Sequence, residues 1–249
     1  MNFRIYAVSD KGCVRDHNED MVLLGNIIFR DDRRILKVDL NEEFKKLFVA
    51  VADGMGGHSA GDVASEIILL RMAEKIDTLE LGLSQKELSE RISEFAVEIH
   101  KYILDEGNMD IQKKGMGSTL IGLLFYDGMA YYINVGDSRL YRFRRGNLMQ
   151  ISTDHSLREM TGNKNIASNI IINSFGGGEK IFVDFAPVGS KILDGDILLL
   201  CSDGLSDMLS DDEIEIILSK ENPVDRLLSE AKTKGGIDNI SIVSIQVQL

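Results

Sequence analysis

With 249 residues, 44% of them hydrophobic, the chain is long enough to bury a sizeable core, and no Pro-rich or Ser/Gly-rich linker divides it, so one domain over residues 1–249 is expected. Forty acidic against 28 basic side chains leave a formal charge of −12, which excludes nucleic acid and anionic membranes as ready partners, because Arg142, Arg144 and Arg145 are too few to build a basic patch. Two cysteines, Cys13 and Cys201, cannot form a disulfide framework, and residues 1–9 lack signal-peptide features, so a soluble cytoplasmic monomer with reduced thiols is expected.

Residues 3–8 alternate weakly as a first strand, followed by a turn at Gly12. Residues 21–24 form a short apolar run, and the polar stretch 30–46 reads as a connection before the strong strand 47–52. From Ala60 the period changes: Val63, Ala64, Ile67, Ile68, Leu70 and Ala73 recur at spacings of three and four, predicting an amphipathic helix to Lys75. Ser84 with Glu87 three places on is a capping box, opening a second helix with the stripe Leu88, Ile92, Phe95, Ile99, Ile103. Strands 118–126 and 129–135 meet at Asp127-Gly128, a favoured two-residue hairpin turn, and strands 139–144 and 148–151 meet around Gly146-Asn147, together predicting an antiparallel meander. After the Asn-rich stretch 159–173, strand-like runs resume at 181–185 and 197–201. Helices 211–219 and 223–234 come next, the second with Asn222-Pro223 as cap and first position, and strand 240–247 closes the chain. This order predicts an α+β fold, a four-layer α-β-β-α sandwich of two antiparallel sheets flanked by helix pairs; the direct hairpins disfavour a parallel α/β sheet.

Four acidic patches recur along this pattern: Glu19-Asp20, Asp53-Gly54, Asp203-Gly204 and Asp238-Asn239. Residues 47–52 lead straight into Asp53 and residues 197–202 straight into Asp203, and the end of a buried strand is a costly place for an unpaired charge. Hard oxygen ligands suit Mg²⁺ or Mn²⁺, while His17, His58, His100 and His155 lack the paired spacing of a zinc site. Asp20, Asp53, Asp203 and Asp238 could therefore flank two ions, with Gly54 letting the backbone approach closely enough to offer a carbonyl. Each Asp-Gly pair also fits a plain turn. A phosphate cradle is the rival reading of Gly54 to Gly57, but no Gly-Lys-Ser/Thr ends it.

The motifs Arg15-Asp16-His17-Asn18-Glu19-Asp20, residues 51–58, Gly117-Ser118-Thr119, Gly136-Asp137-Ser138-Arg139, Asp154-His155-Ser156, Cys201-Ser202-Asp203-Gly204-Leu205 and Asp238-Asn239 occur in this order. Over residues 3–247 the chain thereby resembles the metal-dependent serine/threonine protein phosphatases of type 2C, in their bacterial branch. The resemblance implies that Asp20, Asp53, the Gly54 carbonyl, Asp203 and Asp238 hold a two-metal core of Mn²⁺ or Mg²⁺, directly or through waters. It further implies that Glu19 stands behind them, that Asp137 helps a third, weaker metal, and that Arg15 binds the substrate phosphate. The catalytic set it implies is Arg15, Asp53 and Asp203. Ser118, Thr119 and Ser138 read as structural.

The activity implied by this resemblance is hydrolysis of phosphoserine or phosphothreonine in proteins by a hydroxide activated at a dinuclear Mn/Mg centre. The phosphorylated protein substrate would be the product of a serine/threonine kinase. The alternatives are a dedicated phosphatase of one regulatory protein in a partner-switching or secretion pathway, and a noncatalytic regulatory module of the same fold. Two departures stand out. Eukaryotic relatives carry a His where this chain has Met55, and a thioether cannot donate a proton. The segment 157–173, a flap over the site in relatives, is short. His155 reads as an anchor for that flap, His58 as a helix-start residue, His17 as an orienting neighbour of the metal motif, and His100 as bland.

Overall fold

Buried strands set the architecture. The computed structural model describes residues 2–40, 45–56, 60–167 and 169–248. One sheet runs in the order β11 (Asn147–Gln150), β10 (Arg139–Arg144), β13 (Ile197–Cys201), β14 (Ile240–Gln248), β1 (Asn2–Asp10) and β4 (Arg33–Asp39). The other runs β12 (Asp184–Pro187), β9 (Met129–Val135), β8 (Leu120–Tyr126), β5 (Lys46–Ala52), β2 (Met21–Leu24) and β3 (Ile27–Phe29). A small ribbon pairs β6 (Gly54–Met55) with β7 (Gly117–Ser118). Helices α1 (Ala60–Asp77) and α2 (Gln85–Met109) cover the outer face of the second sheet, while α4 (Asp203–Ser206), α5 (Asp211–Leu218) and α6 (Pro223–Thr233) cover that of the first. A short helix, α3 (Leu157–Thr161), lies in the 157–173 segment. This is the four-layer sandwich expected from the sequence.

Alternation along each strand divides its side chains between two cores. In β5, Leu47, Val49 and Val51 face the opposite sheet, whereas Phe48, Ala50 and Ala52 face α1 and α2. In β13, Leu198 and Leu200 enter the inter-sheet core, whereas Ile197, Leu199 and Cys201 pack beneath the helices. A strand covered on both faces shows no polar alternation, which is why both read as unbroken apolar runs. Gly122, opposite Ala50, leaves room for the Phe48 ring, since a Cβ there would stand 2.6 Å from Phe48 Cε2.

Several local expectations need correction. Residues 30–46 are not a plain connection: β4 pairs with β1 from Asn2↔Asp39 to Val8↔Arg33. It is an edge strand, with Leu36 and Val38 turned to the inter-sheet core while Arg33, Arg34 and Lys37 stay exposed, so its charge hid its pairing. Both hairpins form, but in different sheets, so there is no continuous meander; the chain crosses from one sheet to the other at residues 136–138. The first turn, with φ of 50° at Asp127 and 82° at Gly128, is as expected. The second is centred on Arg145 and Gly146 (φ 52° and 84°), one residue earlier than expected, because Arg144 pairs with Asn147. The 181–185 run is displaced to β12, and α4 was not anticipated. Ser84 and Glu87 form their capping box, but Asn222 sits in the left-handed region (φ 51°, ψ 54°) with no side-chain cap bond, leaving Pro223 alone to start α6. No described helix is long and apolar enough to cross a membrane.

Candidate active site

Strand register gathers the acidic residues. β2 begins immediately after Asp20 and β5 ends immediately before Asp53, with Met21 opposite Ala52. In the other sheet β13 ends at Cys201 opposite Ile242, placing Asp203 and Asp238 together, and Arg139 opposite Cys201 brings the 136–138 crossing to the same end. Asp20, Asp53, Asp137, Asp203 and Asp238 therefore share one end of the sandwich, drawn from both sheets.

Asp53 and Asp203 are each followed by a glycine, and neither glycine has positive φ. The reason for glycine is close approach. A Cβ on Gly204 would run into the carbonyl oxygen of Asn239, and one on Gly54 would run into that of Gly61 and stand 2.6 Å from that of Glu19. Asp203 opens α4, so the plain-turn reading of Asp203-Gly204 is set aside. The Gly54 amide donates to the Glu19 carbonyl at 3.2 Å, and Ser65 Oγ donates to the same oxygen at 2.6 Å. Arg30 Nε donates to the Asp20 carbonyl at 3.2 Å while its Nη2 donates to the Asp62 carbonyl at 2.8 Å, tying the Glu19-Asp20 segment to the first turn of α1.

Asn239 does more than form a tight turn. Its Oδ1 accepts the Glu19 amide at 2.8 Å, and its Nδ2 donates to the carbonyls of Lys11 (3.1 Å) and His17 (3.0 Å), stapling the loop that carries Arg15. Thr119 exchanges two bonds with Asp53: its Oγ1 accepts the Asp53 amide at 3.1 Å and its own amide donates to the Asp53 carbonyl at 2.9 Å. Thr119 Oγ1 also lies 2.7 Å from Ser138 Oγ, linking Asp53 to the sheet crossing beside Asp137. Arg15 is half exposed, and its Nη2 donates to Asp238 Oδ2 at 2.6 Å. Its ion-pair partner is thus one of the site carboxylates rather than its sequence neighbours Asp16 or Glu19. His17 Nε2 lies 3.4 Å from Glu19 Oε1, an orienting contact.

The electrostatics arise from burial and mutual repulsion. Removal from water, with the charges of Asp203 and Asp238 adding to it, pushes Asp20 up to about 7 against the hydrogen bonds of Ser202 and Ser241. Desolvation and neighbouring carboxylates likewise raise Asp203 to about 6, Asp137 to about 8 and Asp53 well above the ordinary carboxylate range. Asp20 Oδ1, Asp137 Oδ1 and Asp203 Oδ1 are buried with no hydrogen-bond partner. Buried oxygens without donors among like charges fit a cation. Among the described residues no three His, Cys, Asp or Glu side chains close into a preassembled cage.

His155 ties down the 157–173 segment. The Gly136 amide donates to its Nδ1 at 3.1 Å, Asn173 Nδ2 lies 2.8 Å from the same nitrogen, and its Nε2 faces Asp184 Oδ2 at 3.1 Å. Buried His100 accepts the Gly176 amide at Nδ1 (3.2 Å). Met55 lies on β6 against Gly117. Gly57 and His58 lie outside the described residues. Arg30 and Ser65 were missed by sequence reasoning; neither belongs to a motif, and both act through backbone atoms distant in sequence.

The protein phosphatase 2C sequence profile matches residues 30–235. The serine/threonine phosphatase Stp of Listeria welshimeri is 31% identical over 255 residues, covering 97% of this chain and 94% of that protein. The Streptococcus agalactiae serine/threonine phosphatase structure superposes with a TM-score of 0.83 at 26% identity, covering 99% of this chain and 100% of that one. The catalytic domain of the serine/threonine protein phosphatase PstP, solved in complex with two manganese ions, superposes with a TM-score of 0.75 at 29% identity over 100% of both chains. A matching profile across most of the chain, a relative aligned nearly end to end and a shared sandwich together mean that the chain belongs to the protein phosphatase 2C family of metal-dependent serine/threonine protein phosphatases.

Proposed function

We propose that this chain hydrolyses phosphoserine and phosphothreonine in proteins at a pair of Mn²⁺ or Mg²⁺ ions held by Asp20, Asp53, the Gly54 carbonyl, Asp203 and Asp238, with Asp137 serving a third ion. The observation that carries this reading is the set of buried carboxylate oxygens without donors on Asp20, Asp137 and Asp203. Oxygen-only donors favour hard divalent ions. The buried thiol of Cys201, pushed up to about 12 by burial, packs beneath the helices and supplies no soft ligand. Ions bound there supply positive charge that makes water nucleophilic at neutral pH and neutralises the phosphoryl oxygens.

The chain's own residues divide the remaining work. Arg15, tethered to Asp238 and half exposed, has the planar fork that receives a phosphate monoester. Thr119 and Asn239 hold the Asp53 and Glu19 backbones in place. Met55 has no proton to give, so protonation of the leaving serine or threonine oxygen falls to water or to another side chain of the site. The net charge of −12 favours phosphoproteins with basic surfaces, the products of a serine/threonine kinase.

The test is turnover of a phosphopeptide and of a small aryl phosphate with Mn²⁺, with Mg²⁺ and with excess chelator after dialysis. Activity is expected with either ion and none with chelator; full turnover in chelator sinks the reading. Arg15→Ala is expected to raise KM for phosphopeptide, with a smaller fall in kcat, if the guanidinium holds phosphate equally in ground and transition states. An unchanged KM would instead confine Arg15 to its ion pair with Asp238.

A further inference from the structure

Ser202 occupies the N-cap position of α4, where a serine hydroxyl ordinarily accepts a backbone N–H of the first turn. Here it makes no such bond. Its hydroxyl turns instead into the core, where Oγ donates to Asp20 Oδ2 at 2.8 Å and accepts the Ser241 amide at 3.0 Å. The Asn239 carbonyl, 3.4 Å from the same Oγ, is a poorer acceptor than the carboxylate for its single proton. Ser202 and Asp20 are both fully buried and 182 positions apart in sequence. The opposite oxygen, Asp20 Oδ1, is left without a partner. A helix cap has therefore been forgone to hold one oxygen of one carboxylate.

We propose that Ser202 is a positioning residue that ties off Asp20 Oδ2 and so leaves Oδ1 as the oxygen that serves the cation. The proposal rests on the metal reading above. The Ser241 amide, fixed in β14, orients the hydroxyl, so the Asp20 carboxylate from one sheet is set by the strand ends of the other. Hydrogen-bond partners of ligating carboxylates act in this way, and their loss weakens metal binding even though they touch no metal.

The test is calorimetric titration of the metal-free full chain with Mn²⁺. Ser202→Ala is expected to weaken Mn²⁺ binding by roughly 10- to 100-fold, and Ser202→Thr, which keeps the hydroxyl, to stay within about threefold of wild type. Should Ser202→Ala fail to fold, Ser202→Cys, similar in volume and a weak donor, carries the same comparison. In an Asp20→Asn background, removing the Ser202 hydroxyl should weaken binding by no more than about threefold further, because its effect passes through that carboxylate. Wild-type-like binding by the Ala variant, equal weakness of the Ala and Thr variants, or a full additional loss in the Asp20→Asn background would each overturn the proposal. If the wild type itself binds no Mn²⁺, the metal reading fails rather than this inference alone.

Discussion

Asp53→Asn and Asp203→Asn are each expected to lower phosphatase turnover by several orders of magnitude, the scale of losing metal activation of water. They should also raise the melting temperature of the metal-free protein at about pH 8. Both effects have one origin. Asp53 and Asp203 share a desolvated site with Asp20, Asp137 and Asp238, and burial and repulsion raise the pKa values of both. Without cations, an ionised carboxylate at either position costs folding free energy, and an isosteric amide removes that cost. Circular dichroism and thermal melts with and without Mn²⁺, beside turnover of a phosphopeptide, check both outcomes. Retention of more than about a tenth of wild-type turnover by both variants would mean that the ligand set is misassigned.

The second large effect is a dependence on pH that reverses when metal is added. Asp203, Asp20 and Asp137 titrate in the folded protein near 6, 7 and 8, above the ordinary carboxylate value, so the folded state binds more protons than the unfolded one between those limits. Stability from these groups is fully present below the ordinary carboxylate value and is lost as pH rises through the folded values. The metal-free protein should therefore melt at progressively lower temperature from about pH 5 to about pH 8. Mn²⁺ needs the carboxylates ionised, so its affinity should climb by more than about tenfold across the same window, with proton release on binding. Calorimetry in buffers of differing ionisation enthalpy reads the released protons directly. A metal-free melting temperature that rises over this range would reject the assignment of these groups as buried and mutually repelling.

Much of the sandwich was legible because burial on two faces writes itself into composition: residues 47–52 and 197–201 are apolar throughout, and each runs into an aspartate. Edges were less legible. β4 has only one covered face, and its Arg33, Arg34 and Lys37 resemble a solvated connection. The crossing at residues 136–138 was hidden because two hairpins in succession look alike whether they share a sheet or not. In the site, the acidic positions were visible from local pattern, but their supports were not. Arg15 meets Asp238 across 223 positions and Asn239 holds the Glu19 amide across 220, and no local periodicity encodes such contacts. Gly204 was read as a possible turn glycine; the close passage of the Asn239 carbonyl, which a side chain would obstruct, exists only in three dimensions.

The pairing of β1 with β14, from Asn2↔Gln248 to Asp10↔Ile240, has a consequence for biosynthesis. β14 lies between β13 and β1, so the first strand made has its central neighbour only when the last described strand leaves the ribosome. Long-range closure of this kind is slow, since loop entropy is lost before the contacts that offset it can form. Until β14 is in place, no strand lies between β13 and β1 to fix the ends that bring Asp203 and Asp238 beside Asp20 and Asp53. The first sheet is thus completed late, and a translation product ending before Ile240 has no strand to join β13 to β1.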